Sequence, residues 1–377
     1  GLSDVQLGLM GGLAFALFYT ALGIPIALLA DRGSRTWIMT IALTVWSAMT
    51  ALCGLAQNFW QLFIARLGVG VGEAGGVAPA YALISDYYAP HQRARALGTY
   101  SFGIPIGSAL GIVLGGLIAS RIDWRYAFFA VGIAGMLLAP LFKLTVAEPV
   151  RGGLDAAPPP ERPATLTDVL AALRGKTSFW LMALGAACAS MIGYSVLFWL
   201  PSFLVRSFSL SLLDASLYFG AILLVGGIAG LWVGGALADR LGQRSRSAFA
   251  LVPATAFVAT VPFFATAVLS KSLPLTFVML LIPIALSLTW LGSLMSAVQH
   301  IVPPHMRATA SAIFMFINNL IGLGVGTVAV GGISDALETR FGDEALRYAI
   351  LSGTVFYLFA ALLLWLASRS LRRDWLD

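Results

Sequence analysis

The chain reads as an all-α polytopic membrane protein, and three observations lead there. Hydrophobic residues make up 59% of its 377 positions and charged residues only 11%, whereas a soluble domain carries roughly 25% charge. Mean hydropathy is +0.88. Apolar runs of about 20 residues, the length that crosses a hydrocarbon core as a helix, recur from end to end. A β-barrel would instead alternate in polarity over segments of about ten residues, and no such alternation is present.

Taken in order, the apolar spans fall at roughly 5–30, 36–56, 59–85, 94–119, 125–146, 178–204, 213–238, 247–269, 273–299, 308–332 and 346–369. The longest polar interruption runs from Glu148 to Lys176. Its Ala-Ala-Pro-Pro-Pro-Glu-Arg-Pro at 156–163 excludes helix, and a short amphipathic piece follows at Leu166–Leu173. The organisation expected is an N-terminal helical bundle at 1–147, a linker at 148–177 with one short amphipathic helix, and a C-terminal bundle at 178–377.

The net charge is +6, and its placement excludes a nucleic-acid partner. Sixteen basic residues lie in loops on one side: Arg32, Arg35, Arg93, Arg95, the group from Lys143 to Lys176, Arg240, Arg244, Arg246, Arg307 and Arg369 to Arg373. Six lie opposite: Arg121, Arg125, Arg206, Lys271, Arg340 and Arg347. Positive charge accumulates on cytoplasmic loops, so the first side, with the C-terminus, is assigned to the cytoplasm. Cys53 and Cys188 both sit in apolar spans without C-x-x-C spacing, and His91, His300 and His305 fall near loop ends. Buried thiols are expected, with no metal, no disulfide framework and no nucleophile–base arrangement, hence no enzyme.

The two halves repeat. GIPIALLADRGSR at 23–35 matches GGALADRLGQR at 234–244, placing Asp31 on Asp239, and Pro-His-Gln-Arg at 90–93 parallels Pro-His-Met-Arg at 304–307. Both copies occupy loops on the same side, which makes a parallel repeat about the membrane normal. The second half opens with a span, 178–204, whose partner would lie before Gly1. Eleven spans are therefore visible where twelve are expected, and a first helix is expected upstream.

Two such halves with G-x-x-x-L/A-x-D-R-x-G-x-R loops resemble the major facilitator superfamily over essentially the whole chain. Within it, Arg66-x-Gly-x-Gly-x-Gly-Glu73, Leu-Ile-Ser-Asp at 83–86 and VPPHMRATASAIFMFINNLIGLGVG at 302–326 resemble the Spinster family. The resemblance implies two pseudo-symmetric bundles, secondary transport by alternating access, and a lysophospholipid or sphingolipid substrate. It also implies a proton as coupling ion and a monomer in a bacterial inner membrane. In the family an acidic residue of the first helix, beside an arginine, contributes to the coupling site; that segment lies outside this sequence. Asp31, Arg32, Arg35, Asp86, Arg93, Asp239, Arg240, Arg244 and Arg307 match its gating loops, where charge contacts latch one conformation.

Two glycine patterns need separating from chemistry. GVGEAG at 70–75 matches the G-x-G-x-x-G of dinucleotide turns, but that turn needs a strand before it, and FWQLFIARLGV continues a membrane span. Its glycines are expected to let helices pack closely. Gly103, Gly107, Gly111 and Gly115 recur every four residues, as do Gly226, Gly230 and Gly234. Each set makes one smooth stripe. The superfamily resemblance would place these stripes at the seam between halves; static packing is the other reading.

Arg66 and Glu73 are seven residues apart, about 10.5 Å along one helix face. Charges inside a membrane are costly and mark transport paths. Loss of water favours the neutral form of Glu73, a nearby arginine the charged form, and that opposition suits a proton switch. A fixed structural ion pair is the bland alternative. Other polar candidates for a cavity are Tyr19, Tyr81, Ser190, Tyr194, Trp199, Thr289, Trp290, Asn318 and Asn319, since a polar tip on an apolar body suits an amphipathic ligand. Membrane Tyr and Trp also serve as packing and belt residues. The rival transport reading is a proton-coupled carrier of small organic anions such as sugar acids, whose carboxylate Arg66 would bind. A membrane sensor or an inactive remnant lies outside transport.

Overall fold

In a computed structural model, residues 3–88, 96, 99–150, 165–242, 245–303 and 306–376 are described, and among them there is no strand. A backbone in hydrocarbon has no water to bond, so every segment satisfies itself as helix. α1 (Asp4–Gly8) passes through a π-turn, Leu9–Leu13, into α2 (Ala14–Arg32). Then follow α3 (Arg35–Cys53), α4 (Phe59–Glu73), α5 (Val77–Tyr87), α6 (Gly103–Arg121) and α7 (Trp124–Thr145). The linker helix is α8 (Leu166–Arg174), and α9 (Thr177–Phe208), α10 (Leu212–Gly242), α11 (Ala248–Leu269), α12 (Leu273–Ser287) and α13 (Trp290–His300) come next. α14 (Arg307–Asn319) enters a second π-turn, Leu320–Val325, before α15 (Gly326–Phe341), α16 (Ala345–Gly353) and α17 (Val355–Asp374).

Side chains supply the first-turn acceptors that helix starts require. Asn58 caps α4 at the Gln61 N–H, 3.0 Å away, and Asp123 caps α7 at the Arg125 N–H, 2.9 Å. Thr165 and Asp168 close a reciprocal box on α8, whose apolar face buries Val169 and Leu173 completely. The sequence piece Leu166–Leu173 is thus a capped amphipathic helix.

Among the described residues, ten stretches are long and apolar enough to cross a membrane. The last, Thr309–Asp374, covers 66 residues and is two spans: the chain turns at Gly342, at φ 53°, and α16 packs back along α15. A positive φ of this kind costs a non-glycine residue but not glycine.

The chain divides into two compact units, Leu9–Glu161 and Ser3–Gly8 together with Arg162–Asp377. The sequence placed 1–147 in one bundle; Ser3–Gly8 packs instead in the C-terminal unit, where α1 lies along α15. In the N-terminal unit α3 packs on α4 and α7, with α2 on α4. The core there is small, Cys53, Ala65 and Val69 under Phe15, Trp46 and Met49. In the C-terminal unit α9 is central, against α14, α15 and α17, and Phe179, Trp199, Phe203, Phe257 and Phe314 are fully buried.

The glycines of GVGEAG set helix approach. A Cβ on Gly72 would lie 2.5 Å from the Trp46 backbone nitrogen, and one on Gly70 would strike the Phe15 carbonyl. Gly226, Gly230 and Gly234 do the same for α10 against α12: added Cβ atoms would meet Leu281, Ala285 and Thr289. That stripe faces a helix of its own unit, so the reading of it as a seam between halves is corrected. Around Gly103, Gly107, Gly111 and Gly115 a Cβ would meet nothing within 4 Å.

The repeat extends to its irregularities. α4 is 15 residues long, breaks at Ala74–Gly76, and resumes as the 11-residue α5. α12 is 15 residues long, breaks at Leu288–Thr289, and resumes as the 11-residue α13.

The two stripes differ in a testable way. Gly230→Ala puts a methyl 2.7 Å from the Ala285 Cα and is expected to cost about 1–3 kcal/mol by overpacking. Gly107→Ala meets open space and should leave the unfolding midpoint unchanged or raised. Thermal unfolding of both variants in detergent checks the contrast.

Candidate functional site

Glu73 is the last residue of α4, and the helix fails immediately after it. The Gly75 N–H turns back to the Gly72 carbonyl at 3.1 Å, and the Gly76 N–H to the Glu73 carbonyl at 2.9 Å. Such tight turns inside a span, here made of Ala74, Gly75 and Gly76, often mark a functional hinge. The Glu73 side chain is partly buried and makes no hydrogen bond or ion pair with a described residue.

Arg66 does not close on it. Its Nε donates to the Met10 carbonyl at 3.5 Å, and its guanidinium lies 5.7 Å from the Phe15 ring centre. Tyr19 stacks on the same ring, centroids 5.1 Å apart. Both residues lie in α4, seven positions apart, and no ion pair joins them. Two turns of helix separate groups whose side chains would have to span about 10 Å, and the arginine meets Met10 of the π-turn and Phe15 of α2 instead. Phe15 escaped the sequence reading, although Phe15 and Tyr19 sit four apart on one helix face. Tyr81 meets the edge of Tyr100 at 5.7 Å.

In the C-terminal unit the polar candidates form a closed network. Ser190 Oγ donates to Asn318 Oδ1 at 2.8 Å, Asn318 Nδ2 to Asn319 Oδ1 at 3.1 Å, and Tyr194 Oη to Asn319 Oδ1 at 3.1 Å. The amide pair lies where α14 opens into its π-turn. Gly322 lets that turn press on α9, since a Cβ there would lie 2.5 Å from that of Ser190. Trp199 is completely buried, and its indole N–H donates to the Thr327 carbonyl at 3.0 Å. The structure gives Trp199 a packing role and not a cavity-facing one. Thr289 and Trp290 are also buried; Thr289 sits in the α12–α13 break, bonded to the Leu286 carbonyl at 2.8 Å.

Of the gating residues, Arg35 and Asp86 form an ion pair between α3 and α5. Arg307 donates to the Gln299 carbonyl at 2.8 Å, and Arg240 is exposed. The side chains of Asp31, Arg32, Arg93, Asp239 and Arg244 lie outside the described residues. Beside the Arg35–Asp86 pair, Glu148 caps the start of α3. It accepts from the Arg35 N–H at 3.0 Å, the Thr36 N–H at 2.9 Å and the Ser34 hydroxyl at 2.7 Å. Burial opposes its charge, but the Thr36 N–H, the Ser34 hydroxyl and the Arg35 N–H outweigh that and hold the carboxyl down at about 2.

A second cluster gave no signal in the sequence. Asp4 accepts both terminal nitrogens of Arg206 at 2.7 Å each and the Ser334 hydroxyl at 2.8 Å. Asp335 accepts from the Asp4 and Val5 N–H groups at 3.0 and 2.9 Å. The partners are 202 and 330 positions away, and such separations leave no local pattern.

Two predictions follow from these contacts. The folded-state carboxyl of Glu148 lies below its ordinary value of 4.5. Its stabilisation is therefore full above about pH 4.5 and fades as pH falls toward about 2. The midpoint difference between wild type and Glu148→Gln should be greatest near neutrality and shrink on acidification. For Asp4 and Arg206, a double-mutant cycle with Asn and Gln should give a coupling of about 0.5–3 kcal/mol. The lower end is expected, because the Arg206 side chain is 34% exposed and solvent screens it.

Residues 1–327 match the model of the Major Facilitator Superfamily. An "MFS-type efflux pump" of Mycolicibacterium smegmatis is 35% identical over 99% of this chain and 86% of its own. "Protein spinster homolog 1" of Homo sapiens is 31% identical over 87% of this chain, which spans 66% of that protein's length. The crystal structure of a bacterial homolog to the human lysosomal transporter Spinster, inward-facing and unoccupied, superimposes with a TM-score of 0.87. It is 31% identical and covers 100% of this chain and 91% of its own. Its occupied form gives a TM-score of 0.81. The chain with the helix-end glutamate and the Phe15-held arginine thus belongs to the Major Facilitator Superfamily, as a Spinster-like membrane transporter and not an enzyme.

Proposed function

We propose that this transporter works by alternating access and couples substrate movement to proton exchange at Glu73. The observation that carries the reading is the state of that carboxylate: partly enclosed, set at a helix break, and without a bonding partner among the described residues. A carboxylate saturated by donors holds its charge, whereas an unsaturated one in a low-dielectric site takes up and releases a proton as its surroundings change. Arg66 supplies a fixed positive field, because Met10 and Phe15 hold it in place. Deprotonated Glu73 is attracted to that field; protonated Glu73 leaves it to an anionic group of the substrate.

An amphipathic substrate of the lysophospholipid or sphingolipid class fits this chemistry best. Phe15 and Tyr19 offer an apolar surface with a polar tip beside Arg66, able to meet chain and headgroup together. The resemblance to Spinster proteins supports the same class. The asymmetry of basic residues supports a bacterial inner membrane with the C-terminus in the cytoplasm. A carrier of small organic anions would use Arg66 in the same way but would have no need of the aromatic pair.

Reconstituted vesicles under an imposed pH gradient test both parts. Wild type should move a fluorescent lysophospholipid in preference to a labelled hexuronate. Glu73→Gln should lower the gradient-driven component by roughly 5- to 150-fold, the scale of one coupling between sites, while binding persists. Gradient-driven transport undiminished in Glu73→Gln would overturn the coupling role.

A further inference from the structure

The C-terminal end of α17 carries a charged feature that the transport reading does not use. Two grooves open on the outer surface of the C-terminal unit on either side of this helix. One, of about 480 Å³, runs between α11 and α17 and is lined by Leu251, Thr255, Val258, Leu358, Leu362 and Trp365 among others. The other, of about 370 Å³, lies between α9 and α17 and is lined by Thr177, Leu181, Leu366, Arg369, Ser370 and Arg373. Exposed apolar side chains in a membrane protein ordinarily face bulk lipid, so the first groove alone means little. Trp365, in its lining, carries an arginine of the second groove on its ring, and that changes the reading.

Arg369 follows Trp365 by one turn, and its guanidinium lies 3.7 Å from the Trp365 ring centre. It is exposed and has no carboxylate at ion-pair distance among the described residues. Stacking fixes the plane of the guanidinium, leaving its edge of donors turned to an incoming acceptor. Arg373, one turn further, bonds the Thr177 hydroxyl at 3.4 Å and the neighbouring Asp374 at 3.3 Å. Arg372 reaches the Ser245 hydroxyl at 3.5 Å, and Lys176 the Asp374 carbonyl at 2.7 Å. Asp374 is itself buried and occupied by the Ser178 N–H at 2.9 Å. Among the described residues this end of the unit therefore bears a surplus of positive charge, with the least compensated cation stacked on Trp365, a residue of the apolar groove's lining.

The groove lining runs along α11 from Leu251 to Ala259, eight residues or about 12 Å, which takes part of an acyl chain. We propose that this surface binds one anionic glycerophospholipid from the bilayer, with its phosphate on Arg369 and Arg373 and an acyl chain in the α11–α17 groove. Basic pockets between membrane helices hold anionic headgroups by the same combination of charge and apolar surface. The lipid is a bound component of this unit and not cargo, so the site stands whether or not the transport proposal does.

The test uses the purified full chain in nanodiscs of phosphatidylcholine, with and without phosphatidylglycerol, followed by native mass spectrometry and thermal unfolding. Wild type should retain one phosphatidylglycerol and unfold at a higher midpoint when it is present. Arg369→Gln, alone and with Arg373→Gln, should reduce retention by about five- and thirtyfold without lowering the midpoint in phosphatidylcholine. Ala361→Phe, which fills the groove, should reduce retention with both arginines intact, and Lys271→Gln at the opposite end should change nothing. Equal retention in the arginine variants overturns the proposal. So does an equal midpoint shift from inorganic phosphate alone, or retention undiminished in Ala361→Phe, because either would mean that no chain is bound.

Discussion

Close approach of helix backbones at glycine is the contact on which the rest of this molecule depends. In lipid, burying apolar side chains brings helices no closer, because the tails outside are as apolar as the residues inside. What remains is the dispersion available when backbones nearly touch, and glycine permits that. Gly70 on the Phe15 carbonyl and Gly72 on Trp46 hold α4 against α2 and α3. The same contact places Arg66 beside Phe15 and brings Met10 within its reach. The electrostatic centre of the N-terminal unit is thus a consequence of helix packing.

Glycine also weakens the helix it serves, and the fold places the weakness consistently. α4 and α12 are each 15 residues long and each gives way before an 11-residue continuation. The break therefore belongs to the repeated unit, not to Glu73. One copy ends in a carboxylate followed by Ala-Gly-Gly; the other ends in Ser287 and passes through Leu288 and Thr289. A shared backbone device has acquired charge in one half only, and there the polar groups freed by the break lie next to the group proposed to exchange a proton.

The sequence displayed the spans, the repeat, the linker helix and the Arg66–Glu73 register, because each rests on periodicity or spacing within one element. It could not display contacts that depend on which helices meet. The Gly226 stripe and the Gly103 stripe have the same spacing, yet one packs on α12 and the other meets nothing. Trp199 and Tyr194 are both polar-tipped aromatics five positions apart on α9, and only the full packing shows the first to be sealed. Glu148 lies in a stretch that reads as linker, but donors from Ser34 to Thr36 make it a helix cap.

Asp4 and Glu73 show why a buried carboxylate alone does not identify a coupling site. Asp4 is the better paired: two nitrogens of Arg206 and the Ser334 hydroxyl occupy its oxygens. Protonating it would break several charge-assisted bonds at once and strand the arginine, so its charge is structurally fixed. Glu73 has no such donors, and its nearest fixed cation is engaged by a carbonyl and a ring. The two carboxylates are distinguished by saturation. A group left unsaturated where the helix is already broken can change protonation without dismantling the packing around it, and that makes Glu73 the group able to switch.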